Sequence, residues 1–288
     1  MEPEQRIGEV IGSRYRLDEL LSRGGQGWVF AGTDLRHGDA VALKVLRGEF
    51  ANDPEWRERM FREAQALVRL SRAAVVRILD QVYSNAGELC LVMERLRGVD
   101  FEQFLGARED RGERSNMAEL VALLAPIAEA LDLAHDFHIL HRDVKPSNIF
   151  VLEGGGVRLL DFGFVRFMGR SGLTQLGFVA GSPSYLAPEA WRGEHARLDR
   201  RVDVYAFGAV LYRALAGEPP FANASIVQLL ELVTTGRRPS LHARRPDLPS
   251  SIDDWVEQAL AIDPEHRFQR VGALWAAFAT LAQKSSSP

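Results

Sequence analysis

Along the first third of the chain, apolar and polar side chains alternate with the period of two that is typical of β-strands. One stretch differs, because it begins at Asn52-Asp53-Pro54, which can cap a helix, and its apolar residues then recur every three to four positions to about Ser71. The pattern predicts strands at residues 16–21, 28–33, 40–46, 75–83 and 89–94. This part of the chain is therefore predicted to be a small sheet with one helix.

Beyond Gly98 the apolar residues recur at steps of three and four, which is typical of helices. The helix predicted at 202–216 is apolar on nearly every side, so we expect a buried central helix whose Asp203 requires a partner. Residues 106–116 are charged and lack periodicity, and a surface loop is predicted there. The predicted helices are 117–138, 202–216, 225–235, 252–262 and 271–282, with a short strand at 157–160.

Composition narrows the classes of protein that fit this pattern. The chain has 288 residues, 46% of them apolar and 26% charged, which is typical of a globular protein. Its formal net charge of −4 does not favour nucleic acid or an anionic membrane as the partner. The N-terminus is acidic where a secretory signal would be basic, and the apolar runs are too short for direct membrane insertion. The single cysteine, Cys90, is expected to be a buried hydrophobic residue, and we expect a cytoplasmic protein.

Glycines cluster between the first two predicted strands, in Ser22-Arg23-Gly24-Gly25-Gln26-Gly27-Trp28-Val29. Backbone without a Cβ can approach a ligand closely and direct its N–H groups at phosphate oxygens. For an isolated glycine cluster, a flexible hairpin turn would be the favoured interpretation. Other residues must therefore decide between a phosphate-binding loop and a hairpin turn.

A lysine on the third predicted strand and a glutamate on the predicted helix form a candidate ion pair. Lys44 shares a strand face with Ala42, and Glu63 lies in the centre of the apolar stripe of the helix. A carboxylate there requires a cation, and pairing with Lys44 would also direct the ammonium at phosphates. From this pair alone, a Glu63 that reaches water at the edge of the stripe explains the pattern equally well.

The clearest chemical signal follows in the helical part of the chain. His141-Arg142-Asp143-Val144-Lys145-Pro146-Ser147-Asn148 follows a long amphipathic helix, and Asp161-Phe162-Gly163 follows the short strand. Phosphoryl transfer requires a base near the acceptor hydroxyl, oxygen ligands for Mg²⁺ and cations for the developing charge. Asp143, Asn148, Asp161 and Lys145 provide this set.

These motifs, in this order, resemble those of the eukaryotic-type protein kinase family, and most of all those of its bacterial members. The resemblance covers about residues 15–281 and includes Ala187-Pro188-Glu189, Asp203, which in the family braces the catalytic loop, and Arg267, similar to the family's ion-pair partner of Glu189. It implies an α+β, bilobal protein-kinase-like fold, with a small antiparallel β-sheet lobe that carries one helix and a larger, mainly helical lobe. The expected boundaries are an N-terminal extension at 1–14, the N-lobe at 15–97, the C-lobe at 98–283 and a disordered tail at 284–288.

The resemblance also implies a role for each candidate site residue. Lys44 matches the lysine that contacts the α- and β-phosphates, and Glu63 matches its partner on the helix. Asp143 matches the catalytic base, and Lys145 matches the lysine near the γ-phosphate. The matches to the magnesium ligands are Asn148 and Asp161. The matches to the ATP-binding residues are Ser22, Gly24, Gly27 and Val29 in the glycine-rich loop and Ala42, Met93, Glu94, Leu96 and Phe150 around the adenine.

A regulatory loop is implied between Asp161 and Glu189. Arg142 stands where the family's arginine pairs with a phosphorylated residue of that loop. Thr174 is the expected phosphosite, with Ser171 as the second candidate.

The chain departs from the family pattern at three places. Ser22 replaces the first glycine of the loop, Arg72-Ala73-Ala74 replaces the usual His-Pro-Asn, and Leu176 stands where bacterial relatives often carry a second threonine. The last departure puts regulation by a phosphorylated pair in doubt.

Lys145 and Gly181-Ser182-Pro183 resemble the Ser/Thr branch of the family. The resemblance thus implies transfer from ATP, with Mg²⁺ or Mn²⁺ as a substitute, to Ser or Thr of a protein substrate, including the chain's own regulatory loop. A homodimer is one arrangement that would allow such autophosphorylation. One alternative is a pseudokinase scaffold that binds nucleotide or a partner without catalysis. A small-molecule kinase of the aminoglycoside type is the other, and Asp161-Phe162-Gly163 and Ala187-Pro188-Glu189 argue against it.

Overall fold

The structure is a computed structural model, which describes residues 2–24, 27–46, 70, 73–161, 183–194 and 198–285. The chain divides into two compact units, Met1–Arg97 and Gly98–Pro288. The first unit is built on an antiparallel sheet and the second is mainly helical, as the sequence predicts. The predicted helix that carries Glu63 lies outside the described residues.

The sheet of the first unit has six antiparallel strands in the order β1-β2-β3-β4-β6-β5. Their bounds are β1 Val10–Ile11, β2 Tyr15–Gly24, β3 Gly27–Asp34, β4 Ala40–Leu46, β5 Ile78–Tyr83 and β6 Leu89–Glu94. All five predicted strands are present, although β5 begins three residues later than predicted. The sequence analysis missed β1, because two residues are too short to show a period of two.

One face of this sheet carries the core of the first unit. Strand alternation places Val41, Leu43 and Val45 on that face, opposite Ala42 and Lys44. The core also includes the predicted buried cysteine, and burial raises the pKa of the Cys90 thiol to about 12. The buried residues of this cluster are Ile11, Tyr15, Leu17, Phe30, Val41, Leu43, Val45, Cys90 and Val92.

The N-terminal residues are part of the first unit. A 3₁₀ helix, Pro3–Arg6, contacts β2, and two backbone hydrogen bonds continue the pairing of β1. Gly8 N–H donates to the Leu17 carbonyl at 2.8 Å, and Leu17 N–H donates to the Glu9 carbonyl at 2.9 Å. The segment that the sequence analysis separated as an extension therefore completes the edge of the sheet.

The second unit combines a small antiparallel sheet with helices. Strands β7 Gly98–Asp100, β8 Ile149–Leu152 and β9 Val157–Leu159 pair in that order. In the described part of this unit the helices are α1 Phe101–Glu109, α2 Met117–Asp136, α3 Pro188–Trp191, α4 Arg201–Ala216, α5 Ile226–Thr235, α6 Leu241–Arg244, α7 Ile252–Ala259 and α8 Val271–Ser285. No helix of the described residues is both long enough and apolar enough to cross a bilayer.

Helix α4 is the predicted central helix, and nearly all of its side chains are buried. The loop predicted at 106–116 is partly wrong, because α1 continues to Glu109. The Asp100 carboxylate caps α1 by accepting from Gln103 N–H at 2.9 Å, and Phe101 and Leu105 bury one face of the helix. The tail assigned from residue 284 also begins too early, because α8 continues to Ser285.

Candidate active site

Four of the residues predicted to surround ATP lie on one face of the six-stranded sheet. Val29 is directly opposite Lys44, and Ala42 is directly opposite Met93. Directly opposed residues on antiparallel strands project to the same face, and residues two apart on one strand do the same. These four side chains therefore line the face opposite the Cys90 core, and Lys44 is buried there with 6% of its surface exposed.

The glycine-rich segment forms the end of the hairpin between β2 and β3. Gly24 pairs with Gly27, and Ser22 pairs with Val29. Gly27 has a φ of +153°, and a Cβ there would lie 2.0 Å from the carbonyl oxygen of Val45 on β4. A Cβ on Gly24 would meet its closest atom at 3.5 Å, an ordinary contact. Glycine at position 27 is thus required by close packing of the two backbones, whatever binds at the loop.

Residues around the predicted adenine position show which backbone groups are already used. The Glu94 N–H donates to the Arg77 carbonyl at 3.0 Å. Its carboxylate accepts from Arg77 N–H at 2.9 Å and from Arg77 Nε at 3.0 Å. The Glu94 N–H is therefore already hydrogen-bonded within the protein.

In the second unit, a short loop brings together two predicted catalytic residues, Asp143 and Lys145, and one predicted magnesium ligand, Asn148. Lys145 Nζ donates to Asp143 Oδ2 at 2.9 Å. Asn148 Nδ2 donates to Asp143 Oδ2 at 3.0 Å and to the Asp143 carbonyl oxygen at 2.7 Å. Two donors thus fix the orientation of the Asp143 carboxylate, in a loop that ends with the 3₁₀ turn Pro146–Asn148.

The carboxylate of Asp203, at the start of α4, accepts hydrogen bonds from the backbone of this loop. It is fully buried, and it accepts from His141 N–H at 2.8 Å and from Arg142 N–H at 2.7 Å. The third donor is His135 Nε2 on α2, at 2.8 Å. Burial alone would raise the pKa of Asp203, but the hydrogen bond from His135, the nearby rings of His135 and His141 and the hydrogen bond from Arg142 N–H together outweigh burial, and the pKa is lowered. The expected bracing of the catalytic loop by Asp203 is confirmed.

His141 connects the loop to the strand that precedes Asp161. Its Nε2 lies 2.7 Å from the Leu160 carbonyl oxygen, and its Nδ1 accepts from Asp143 N–H at 3.2 Å. One ring nitrogen donates and the other accepts, so the ring is neutral, and burial lowers the pKa of His141. Leu160 N–H in turn donates to the Asn148 carbonyl at 2.8 Å, which holds Asp161 beside the loop.

Two residues of this region have left-handed backbone conformations that non-glycine residues rarely adopt. Arg142 has a φ of +64°, and Asp161 has a φ of +45°. Such conformations cost on the order of 1–3 kcal/mol each and cluster at functional sites. The hydrogen bond that Arg142 N–H donates to Asp203 and the one between His141 and the Leu160 carbonyl are among the local interactions that offset this cost.

Glu189 and Arg267 form the predicted ion pair. The guanidinium donates to the two carboxylate oxygens at 2.7 Å each, and the side chain of Arg267 is completely buried. Its other donors are used by the carbonyl oxygens of Ala261, Ile262 and Arg201. Every N–H group of a buried guanidinium must find an acceptor, and here the pair ties α3 to the start of α4 and to the segment before α8.

The oxygen donors of the second unit fit a magnesium ion. Both amide N–H bonds of Asn148 go to Asp143, so its side-chain oxygen points away from that carboxylate. Among the described residues no cluster of three His, Cys, Asp or Glu side chains forms a metal centre. Mg²⁺ is usually held by one or two protein oxygens together with substrate phosphates.

Several predicted residues cannot be placed in this geometry. Glu63, Thr174 and Ser171 lie outside the described residues. Phe150 lies on β8 in the second unit, directly opposite Arg158 and Asp100.

Sequence analysis also missed two residues that contact the site. His135 was one of many residues in a long helix, and its signal was a polar residue on the buried side near the end of α2. Arg77, which binds Glu94, gave no signal because it is exposed and lies outside any strand.

A unit built on an antiparallel sheet and a mainly helical unit, with an Asp-Lys-Asn loop braced by a buried aspartate, are the features expected of the protein kinase fold. Residues 15–278 match the family model of the protein kinase domain. The chain belongs to the protein kinase family, and the expected fold class is confirmed.

Several bacterial proteins are similar to this chain. The probable serine/threonine-protein kinase PknB of Corynebacterium glutamicum is 36% identical over 287 residues, which cover 96% of this chain and 44% of the relative. The serine/threonine-protein kinase PknH of Mycobacterium tuberculosis is 36% identical over 272 residues, with 94% and 42% covered. The crystal structure of the Mycobacterium tuberculosis PknI kinase domain aligns with a TM-score of 0.74 and 29% identity, covering 96% of this chain and 98% of that domain. The chain spans less than half the length of the two curated relatives.

Proposed function

We propose that this protein is a Ser/Thr kinase that transfers the γ-phosphoryl group of ATP to Ser or Thr hydroxyls of proteins. The observation that carries the proposal is the loop in which Lys145 and Asn148 both donate to the carboxylate of Asp143. A carboxylate fixed in this way is positioned to orient an acceptor hydroxyl, which is most of what phosphoryl transfer requires of a protein. The bacterial Ser/Thr kinases that the chain resembles support the same activity.

In the proposed reaction, the acceptor oxygen bonds to the γ-phosphorus while the bond to the bridging oxygen of ADP breaks. The hydroxyl proton goes to Asp143, and Lys145 stabilises the negative charge on the transferred group. Asn148 and Asp161 would hold Mg²⁺, which neutralises phosphate charge when bound.

The face of the first sheet is the proposed binding surface for the nucleotide. Lys44 would contact the α- and β-phosphates, with Glu63 as its partner, and the glycine-rich loop from Ser22 to Val29 would cover them. Ala42, Met93, the backbone up to Leu96, and Phe150 would surround the adenine. Glu94 N–H is committed to Arg77, so we propose the Glu94 carbonyl and Leu96 for the adenine edge.

The same proposal includes a regulatory phosphosite, the boundary between the lobes and a cellular location. Arg142 would bind a phosphate on Thr174 or, second, on Ser171. The boundary between the two lobes is proposed after residue 97. A cytoplasmic setting and a homodimer during autophosphorylation are proposed with it.

The test begins with phosphatase-treated protein incubated with labelled ATP and Mg²⁺, and phosphosites are mapped by mass spectrometry. Asp143→Asn and Lys44→Ala should abolish labelling. Asp136→Asn and Lys284→Ala are the matched controls, since both change an exposed residue of the same type, and they should label like the parent. Label on Ser or Thr in the parent and controls only is the expected result. Nucleotide binding with no label on the protein or on a generic acceptor would favour a scaffold and overturn the proposal.

A further inference from the structure

The glycine-rich hairpin, defined here as residues 18–24 of β2 and 27–30 of β3, has an outer edge that β1 does not cover. β1 pairs with Tyr15 and Arg16, and the last backbone hydrogen bonds from the N-terminal side reach Leu17. Among the described strands, none pairs with the outer edge of β2 beyond that residue. The 3₁₀ helix Pro3–Arg6 contacts β2 instead. The N-terminal segment, residues 2–9, is therefore placed where it can support the hairpin.

Arg6 is the centre of this support. Its side chain is 5% exposed, and its guanidinium donates to Glu9 at 2.7 and 3.2 Å. It also pairs with Glu88 at 2.8 Å. A buried guanidinium is costly unless its donors are satisfied, so two carboxylates around one arginine mark a defined position for this side chain and not a mobile surface contact.

The same guanidinium contacts the hairpin through Trp28. Arg6 Cζ lies 5.8 Å from the centre of the Trp28 ring, within range of a cation–π interaction. Trp28 directly follows Gly27 and lies opposite Arg23. The contact is thus made at the last residue pair before the glycine turn, on the face of the sheet that carries the Cys90 core and not on the face of Lys44.

Glu88 connects Arg6 to the hydrogen-bonded turn between β5 and β6. Ser84 Oγ donates to Glu88 Oε2 at 2.9 Å, and Glu88 N–H donates to the same hydroxyl at 3.1 Å. Ser84 N–H also donates to the Glu88 carbonyl at 2.9 Å, which closes the turn between β5 and β6. Through Arg6, the hairpin at one side of the sheet is connected to this turn at the other side.

A second, exposed contact acts at the same end of the hairpin. Arg23, the residue before Gly24, pairs with Glu4 and lies 3.4 Å from Glu2. Exposed pairs add little to stability, so this one serves orientation more than folding.

We propose that Arg6 is a positioning residue for the nucleotide site, and that residues 2–9 brace the glycine-rich hairpin in the orientation that accepts phosphates. The inference rests on the proposed kinase function. A hairpin without this brace must be ordered by the nucleotide, and that ordering weakens nucleotide binding. The brace belongs to the first unit, whereas Asp143 and Lys145 belong to the second, so we expect the rate of phosphoryl transfer at saturating ATP to be unaffected.

The test compares Arg6→Ala, Arg6→Lys and Trp28→Leu with Arg14→Ala. Arg14 is the matched control, because its guanidinium makes a two-pronged pair with Asp34, at 2.8 and 2.6 Å, on the same sheet away from the hairpin end. Arg6→Ala should raise KM for ATP and the Kd of a fluorescent ATP analogue about tenfold, equivalent to about 1.4 kcal/mol. Arg6→Lys should raise both less, since a lysine keeps the charge without the two-pronged geometry. The kcat of each should stay within about twofold of the parent, a split that general destabilisation does not produce.

Trp28→Leu keeps apolar packing, removes the ring, and should raise KM in the same way, so the proposal stays testable if Arg6→Ala does not fold. An unchanged KM for ATP in Arg6→Ala and Trp28→Leu overturns the proposal. An equal rise of this KM in Arg14→Ala overturns it as well. Amide hydrogen exchange of the nucleotide-free proteins separates this inference from the proposed function. Faster exchange at residues 27–30 in the Arg6 variants than in Arg14→Ala supports the brace even if the parent transfers no phosphate, and equal exchange rates refute the brace even if the parent is an active kinase.

Discussion

Replacing Asp203 by asparagine tests the bracing of the catalytic loop without changing the shape of the side chain. Oδ2 of Asp203 accepts from His135 and from the His141 N–H, whereas Oδ1 accepts from the Arg142 N–H. An asparagine can keep its oxygen toward the first two donors only by turning its NH₂ group toward the third. Two donors would then face each other at the 2.7 Å now spanned by the Arg142 hydrogen bond.

The size of the effect follows from these contacts. One buried N–H left without an acceptor costs about 1–3 kcal/mol. The two remaining bonds lose their charged acceptor, which costs about another 1 kcal/mol together. We expect the free energy of unfolding to fall by about 3 kcal/mol, a substantial part of the ~5–15 kcal/mol of a typical domain. Because Arg142 precedes Asp143, the loop should also shift, and kcat should fall about a hundredfold.

The measurement is guanidinium chloride unfolding and steady-state kinetics of the parent, Asp203→Asn and Asp199→Asn. Asp199 lies just before the same helix, pairs with Arg201 at 2.7 Å and is 47% exposed, so its loss should cost less than about 1 kcal/mol. An Asp203→Asn protein that is as stable and as active as Asp199→Asn would refute the reasoning.

Three further predictions concern other parts of the two units. Gly27→Ala should lower the melting temperature far more than Gly24→Ala, since only the first Cβ would collide with a backbone oxygen, at 2.0 Å; equal losses in thermal unfolding would contradict this. The pKa of His141 is lowered by burial, so its contribution to stability is present above the unfolded pKa of about 6.5 and is lost as pH falls from there toward the folded value. When the pH is lowered through that window, the melting temperature of the parent should therefore fall more steeply than the melting temperature of His141→Gln. Parallel curves of melting temperature against pH for the two proteins would contradict this. Arg267→Lys should cost about 3 kcal/mol in chemical unfolding, because a lysine cannot satisfy both oxygens of the buried Glu189, and a loss below about 1 kcal/mol would show that the pair is dispensable.

Much of the fold could be predicted because long elements carry strong periodic signals. The bounds of β4 and β6 agree with the predicted strands, and α4 differs by one residue from the predicted central helix. Elements that are short or capped by tertiary contacts could not be found. Strand β1 has two residues, and α1 depends on the cap at Asp100 and on the burial of Phe101 and Leu105 in a stretch rich in charges.

In the candidate site, too, contacts between residues close in sequence could be predicted, whereas contacts between distant residues could not. Asp143, Lys145 and Asn148 lie within six residues of one another, so their assembly in one loop could be predicted from their spacing. Asp203 was expected to need a partner, but the partner His135 is 68 residues away, and only the packing of α2 against α4 brings the two together. The packing of the Gly27 backbone against β4, which also requires glycine there, was not expected from the sequence. A sequence pattern does not show which distant parts of the chain pack against each other, or how closely.

The most direct test of the central claim is the single-turnover rate of phosphoryl transfer by the parent and by Asp143→Asn, measured beside the Kd for ATP. The account predicts that the rate falls by a factor on the order of 10²–10⁴ while the Kd for ATP stays within about twofold, because the role proposed for Asp143 is to orient and deprotonate the acceptor hydroxyl. Equal rates for the two proteins, or no transfer by the phosphatase-treated parent with ATP bound, would contradict the assignment of this loop as the catalytic site.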